Sequence, residues 1–238
     1  MQAVVAELLP LVPSARREQA LRFRHLHGQY CCLRSWQLLY SLLIEHAFIP
    51  SSLPLSDLTF TLNPHGKPEL ALSHLTSHSA AVSHLTSHGA AVSHPASNIH
   101  FSISHTKTAL AVAIDHSPIG IDIESLASAS RIADRHFLSR TMSPDEQSAI
   151  AAAPNPCLAF TELWTRKEAL VKARGTGLTD LDSLPSLLDD TAPFTLLTLP
   201  SATCAPISNA SVCSAPLGSP VPSSSFAPEF ACTIAYIP

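Results

Sequence analysis

The chain has 238 residues, 46% hydrophobic and 13% charged, with a formal net charge of −4; that length supports one large domain or two small ones with a real core, and the composition excludes a disordered chain. No window approaches the roughly 18 uninterrupted apolar residues of a membrane span. All 14 Lys and Arg lie before Gly175, against 13 acids there, a balance that argues against a nucleic-acid partner and suits a small anionic ligand. The six cysteines have no CxxC spacing, and Met1 to Pro13 carries Glu7 without a basic lead, so a reduced, cytoplasmic protein without a secretory signal is expected.

Residues 14–48 read as a helix. Leu21, Leu33, Trp36, Leu39, Tyr40 and Leu43 recur at helical spacing among Arg16, Arg17, Arg22, Arg24 and Arg34, and Pro50 and Pro54 end the run. Residues 58–62 alternate like a short strand, and His65-Gly66-Lys67-Pro68 reads as a turn. Residues 73–94 repeat themselves, SHLTSHSAAV then SHLTSHGAAV then SHP. Placed between a turn and a strand, the repeat reads as a solvated loop insertion, with His74, His78, His84, His88 and His94 at most adventitious metal ligands.

Residues 101–105 and 109–114 read as strands, the second so apolar that it suits a buried position. After turn chemistry at residues 115–118, residues 119–124 are expected as the antiparallel partner of 109–114. Helical stretches follow Ser128 and the Ser143-Pro144-Asp145-Glu146 capping box, which has proline at the first helical position. A longer helix is expected from about Leu158 to Arg174, stopped by Gly175. Residues 199–227, rich in Pro, Ser and Ala, are expected to be loosely ordered, and 230–237 to form a last strand. Mixed helices and antiparallel strands give the class α+β.

Three groups of residues carry chemistry. Asp122 and Glu124 stand at i and i+2 of a strand and share a face, with Ile119, Ile121 and Ile123 on the other. Two such carboxylates suit Mg²⁺, although an ordinary half-exposed strand has the same alternation. Trp164, Glu168 and Lys172 follow at i, i+4 and i+8 on one helical face, with Lys167 beside them. A Glu–Lys pair at this spacing is commonly a surface pair. The apolar setting of Phe160, Leu163, Leu170 and Val171 argues for burial, and buried charges then need a metal or phosphates. Ser104 and His105 end a strand, where such side chains donate to phosphate oxygens, though a lone His there is more often structural. No GxSxG elbow, P-loop or GxGxxG occurs.

In order and spacing these stretches resemble the phosphopantetheinyl transferase superfamily. FSISHTKTALAVAI (101–114), GIDIE (120–124), FTELWTRKEALVKARGTGL (160–178) and HGKP (65–68) are similar to its four motifs. The mid-chain GIDIE resembles the Sfp type, which implies a monomer of two similar α+β subdomains, a pseudo-dimer divided near residue 118 with the active site at their interface. The resemblance implies transfer of 4′-phosphopantetheine from coenzyme A, as co-substrate, to a serine of an apo acyl or peptidyl carrier protein, with no nucleic-acid or membrane partner. It implies Mg²⁺, with Mn²⁺ able to substitute, held by Asp122, Glu124 and Glu168. Lys167 and Lys172 would contact the pyrophosphate, Ser104 and His105 phosphate oxygens, and Gly66, Lys67 and Pro68 the adenine; Glu168, or a metal-bound water, would take the serine proton. The sequence departs from the family at Ser102, where Asn is common, and in the first helix, where Arg22, Arg24 and Arg34 stand as alternatives for the 3′-phosphate. The alternatives are a non-catalytic module binding coenzyme A or a carrier, another Mg²⁺-dependent phosphoester enzyme, or a histidine metal buffer.

Overall fold

A computed structural model describes residues 1–71, 99–107, 109–126, 134–188, 194–199, 204–207, 210–216 and 230–237. The histidine repeat lies outside the described residues.

Three helices open the chain: α1 (Gln2–Leu8), α2 (Ser14–Arg22) and α3 (Leu26–Glu45). The single helix expected over 14–48 is thus broken at residues 23–25. Phe23 turns extended (φ −71°, ψ 123°) and its ring lies against Gly28, where a Cβ would come within 2.7 Å of Phe23 Cδ1. The break lets α2 fold back onto α3. Arg16 of α2 donates to the Cys32 carbonyl at 2.8 Å and to Ser35 Oγ at 3.0 Å, and its guanidinium lies 4.3 Å from the Trp36 ring centre. Leu33, Trp36, Leu39 and Leu43 are buried as their spacing predicts, whereas Leu21 faces solvent.

A hairpin of β1 (Phe60–Leu62) and β2 (Pro68–Leu70) follows, then β3 (His100–His105), β4 (Ala109–Asp115) and β5 (Ile119–Ser125). The helices α4 (Arg135–Thr141), α5 (Pro144–Ala152) and α6 (Pro156–Arg174) come next, and β6 (Thr195–Leu199), β7 (Cys204–Ile207), β8 (Ala210–Pro216) and β9 (Phe230–Tyr236) close the chain. The class is α+β, as expected.

Two expectations are corrected. First, β5 does not pair with β4. Beyond the β1-β2 hairpin, the described strands form two sheets, β3-β4-β8-β7 and β5-β9-β6, and the ladder of β5 is made with β9. The Asp115–Pro118 turn is a crossover between layers, because β4 is apolar on both faces and each face is claimed. Val112 and Ile114 pack under α3, while Ala109, Ala111 and Ala113 pack against Ile119, Ile121 and Ile123 of β5. Second, within residues 199–227 the described parts include β7 and β8, which extend the first sheet, while residues 200–203, 208–209 and 217–229 lie outside the described residues. Pro206 is tolerated because β7 is the sheet's edge strand.

The result is a stack of α3, the first sheet, the second sheet and α6. The small alanines of β4 let the isoleucines of β5 nest closely. On its other face β5 meets α6, at Gly120: a Cβ there would lie 1.8 Å from the Ala169 carbonyl oxygen. Alternation along β5 therefore sends Asp122 and Glu124 toward α6. The α5 capping box forms as predicted, with Ser143 Oγ accepting from Glu146 N and Ser143 N donating to Glu146 Oε2. Helix α6 ends at Gly175 in the left-handed region (φ 70°). Among the described residues no helix is long and apolar enough to cross a membrane.

Candidate active site

Helix α6 and strand β5 meet along the i, i+4, i+8 face read from the sequence. Trp164 Nε1 donates to Glu124 Oε1 at 3.2 Å. Two turns on, Lys172 Nζ lies 2.6 Å from Asp122 Oδ1. Glu168 stands between them and lines a cleft of about 330 Å³ together with Lys172, Val171, Ser102 and the His65–Pro68 turn. The cleft thus opens between the first hairpin, β3 and the C-terminal half of α6.

Strand β3 completes the site through its serines. It runs along the free edge of β5, and hydroxyls replace a backbone ladder there. Ser102 Oγ accepts from Ile121 N at 3.0 Å, and Ser104 Oγ accepts from Ile123 N at 3.3 Å. Ser104 Oγ also donates to Asp122 Oδ1 at 2.8 Å. Asp122 is only 4% exposed, and its Oδ2 is buried with no hydrogen-bond partner among the described residues.

A buried carboxylate oxygen without a donor costs on the order of 1–3 kcal/mol, more when charged, and a cation at that oxygen would offset this cost. Asp122, Glu124 and Glu168 are hard oxygen donors, the set Mg²⁺ prefers. They are not preassembled as a three-acid cage, because among the described residues no three His, Cys, Asp or Glu side chains are gathered closely enough to hold a metal by themselves. That fits an ion which takes one or two carboxylates and completes its shell with phosphates and water. Cys232, opposite Ile123 on β9, is no competitor: burial and then the Asp122 charge push its thiol up to about 12.

The structure does not bring Lys167 to this cleft. Its Nζ is buried on the far side of α6, 2.7 Å from Glu146 Oε2 and 2.8 Å from the Thr141 carbonyl. Adjacent helical residues point about 100° apart, so Lys167 and Glu168 cannot share a face. Lys167, expected at the pyrophosphate, makes here an internal ion pair that ties α5 to α6. Glu146 was legible only as a cap, yet it also accepts from Leu187 N at 3.0 Å.

Lys67 lines the cleft with its stem, but its ammonium caps α6, donating to the Lys172 carbonyl at 2.6 Å. Burial lowers its pKa. Asn63, absent from the sequence candidates, braces the same turn: its Oδ1 accepts from His65 N and Lys67 N at 2.9 Å, and its Nδ2 donates to the Gly175 carbonyl at 3.0 Å. Asn followed by Gly66 at φ 83° was its only local signal. His105 is exposed at the end of β3. Partial desolvation, then the neighbouring His27 and Lys172, hold it below the ordinary histidine value. His27, also missed, donates from Nε2 to the Lys107 carbonyl at 2.8 Å and so docks the β3–β4 tip on α3. Of the three arginine alternatives, Arg34 is engaged by Gln37.

A family model for the 4′-phosphopantetheinyl transferase superfamily matches residues 118–224, from β5 through α6 to β8. This part of the chain, just under half of its 238 residues, is similar to that superfamily. Three similar phosphopantetheinyl transferases illustrate the relation. Psf-1 of Bacillus pumilus is 28% identical over 197 residues, 81% of this chain and 70% of the relative. Sfp of Bacillus subtilis is 26% identical over 183 residues, 74% of this chain and 66% of the relative. HetI of a Nostoc species is 33% identical over 114 residues, 44% of this chain and 45% of the relative. The chain thus spans about two thirds of its longer-matching relatives and less than half of HetI. Among the transferase motifs, GIDIE supplies the carboxylates of β5 and the helix motif supplies Trp164, Glu168 and Lys172 of α6.

Proposed function

We propose that the protein transfers the 4′-phosphopantetheine arm of coenzyme A to a serine of an apo acyl or peptidyl carrier protein, releasing 3′,5′-ADP. The reading rests above all on the buried Asp122 Oδ2, without a partner among the described residues, whose carboxylate pairs with Lys172 of the cleft wall. The carrier serine oxygen attacks the phosphorus that bears the pantetheine arm. The bond from that phosphorus to the bridging oxygen of 3′,5′-ADP breaks, and Glu168 takes the serine proton. The nucleophile is a neutral hydroxyl and the leaving group an anion, so alignment and positive charge matter more than covalent chemistry. Lys172 and His105 supply positive or donor groups for phosphate oxygens, and the turn at Gly66, Lys67 and Pro68 shapes the adenine end. Mg²⁺, or Mn²⁺ in its place, held by Asp122, Glu124 and Glu168, would neutralise charge on the pyrophosphate.

We further read the protein as a cytoplasmic monomer of two similar halves divided near residue 118, with the cleft between them. Each half lays a long helix, α3 or α6, on the outer face of a sheet, although β7 and β8 cross back to the first sheet.

The test is the intact mass of a panel of apo carrier proteins incubated with the protein, coenzyme A and Mg²⁺, with and without EDTA. One phosphopantetheine arm is expected on the carrier serine, lost with EDTA and lost in Asp122→Ala or Glu168→Ala variants that remain folded. No gain on any carrier, from folded protein that binds coenzyme A, would favour a non-catalytic binding module instead.

A further inference from the structure

We infer that Ser104 is a positioning residue for Asp122 and not a ligand of the coenzyme A phosphates; this rests on the transferase reading above. A seryl hydroxyl has one proton to donate and two lone pairs. Three groups surround Ser104 Oγ: Asp122 Oδ1 at 2.8 Å, Lys172 Nζ at 3.1 Å and Ile123 N at 3.3 Å. The carboxylate only accepts, and the ammonium and amide only donate. The proton therefore goes to Asp122 and both lone pairs are filled. A phosphate oxygen needs a donor, and Ser104 has none left to give.

The effect on Asp122 is specific. A carboxylate turns readily about its last torsion, which is broad and roughly two-fold. Here Oδ1 is held by two donors, Ser104 and Lys172, so Oδ2, without a partner among the described residues, is the oxygen left available to a cation. When an anion in the cleft draws Lys172 toward itself, Ser104 remains as the restraint on that torsion. Ser102 is an internal control. It accepts from Ile121 N just as Ser104 accepts from Ile123 N, on the same seam, without a hydrogen bond to Asp122.

The experiment measures Mn²⁺ binding by EPR, with and without coenzyme A, and coenzyme A binding by calorimetry in EDTA, for wild type, Ser104→Ala, Ser104→Thr and Ser102→Ala. Removing a group that orients a metal ligand typically weakens metal binding about ten- to a hundredfold. Ser104→Ala is expected to lose Mn²⁺ affinity by that factor while metal-free coenzyme A affinity holds. Ser104→Thr, which keeps the hydroxyl, recovers Mn²⁺ binding, and Ser102→Ala keeps it. Should the alanine variant unfold, Ser104→Cys, of similar volume but a weak donor, is expected to show the same Mn²⁺ defect. Loss of metal-free coenzyme A affinity with Mn²⁺ binding intact would make Ser104 a phosphate ligand and overturn the inference. An equal Mn²⁺ defect in Ser102→Ala would reduce Ser104 to general support of the seam. A wild-type protein that binds no Mn²⁺ and modifies no carrier would sink the transferase reading itself.

Discussion

His105 carries a charge that depends on what lies beside it. Desolvation, then His27 and Lys172, keep its pKa below the usual histidine value, so it is largely neutral near pH 7 in the free protein. An anion beside it favours the imidazolium and raises that pKa. Coenzyme A binding should therefore take up a proton and tighten as pH falls toward the lowered pKa of His105 in the free protein. Calorimetry in buffers of different ionisation enthalpy reads this directly, and His105→Gln should remove both the uptake and the slope. An unchanged slope in that variant would remove His105 from the phosphate site. Folding has its own dependence. His100, desolvated and near Lys67, is also held low. The unfolded chain then binds protons first, and these two groups cost stability as pH drops below about 6.5. Asp122, Glu124, Glu168 and Lys172 were legible because periods of two and of four place them on single faces. The hydroxyl bonds of Ser102 and Ser104 were not, since no local pattern states which strand lies across the seam.

Helix α6 is fixed on both flanks, and each flank makes a prediction. Toward β5, Gly120 leaves no room for a methyl group: its Cβ would meet the Ala169 carbonyl oxygen at 1.8 Å and Ala173 N at 2.4 Å. Helix backbone cannot yield as a side chain can. Gly120→Ala should lift α6, cost about 3 kcal/mol or more, and lower transfer because Glu168 and Lys172 ride on the helix. A urea midpoint and activity equal to wild type would contradict this close contact. Toward α5, Lys167 and Glu146 are 5% and 0% exposed and form an ion pair. Removing one partner of such a pair strands the other charge, at roughly 3–5 kcal/mol. Lys167→Met should thus lower the urea midpoint, with the KM for coenzyme A unchanged in the folded fraction. A normal midpoint with a raised KM would return Lys167 to the pyrophosphate. The capping box and the Gly175 stop were readable because caps are local chemistry. The break between α2 and α3 was missed because Phe23 and Gly28 act through packing, without a proline or a cap to mark it.

The molecule as a whole is a stack of helix, sheet, sheet and helix, and the cleft lies where the first hairpin, β3 and α6 converge. The sequence by itself determined the class, most of the helices, the α6 terminus and the four motifs, because propensity, capping and periodicity act over a few residues. It also determined that carboxylates and a lysine would share a face suited to a cation and phosphates. The tertiary structure alone decided that β5 pairs with β9 and not with β4, and that β7 and β8 cross to the first sheet. It alone turned Lys167 inward and set Lys67 as a cap on α6. The physical reason is the same in each case. Strand partners and the destination of a long charged side chain depend on which distant surfaces close against one another, and a buried charge goes to whichever partner can satisfy it there.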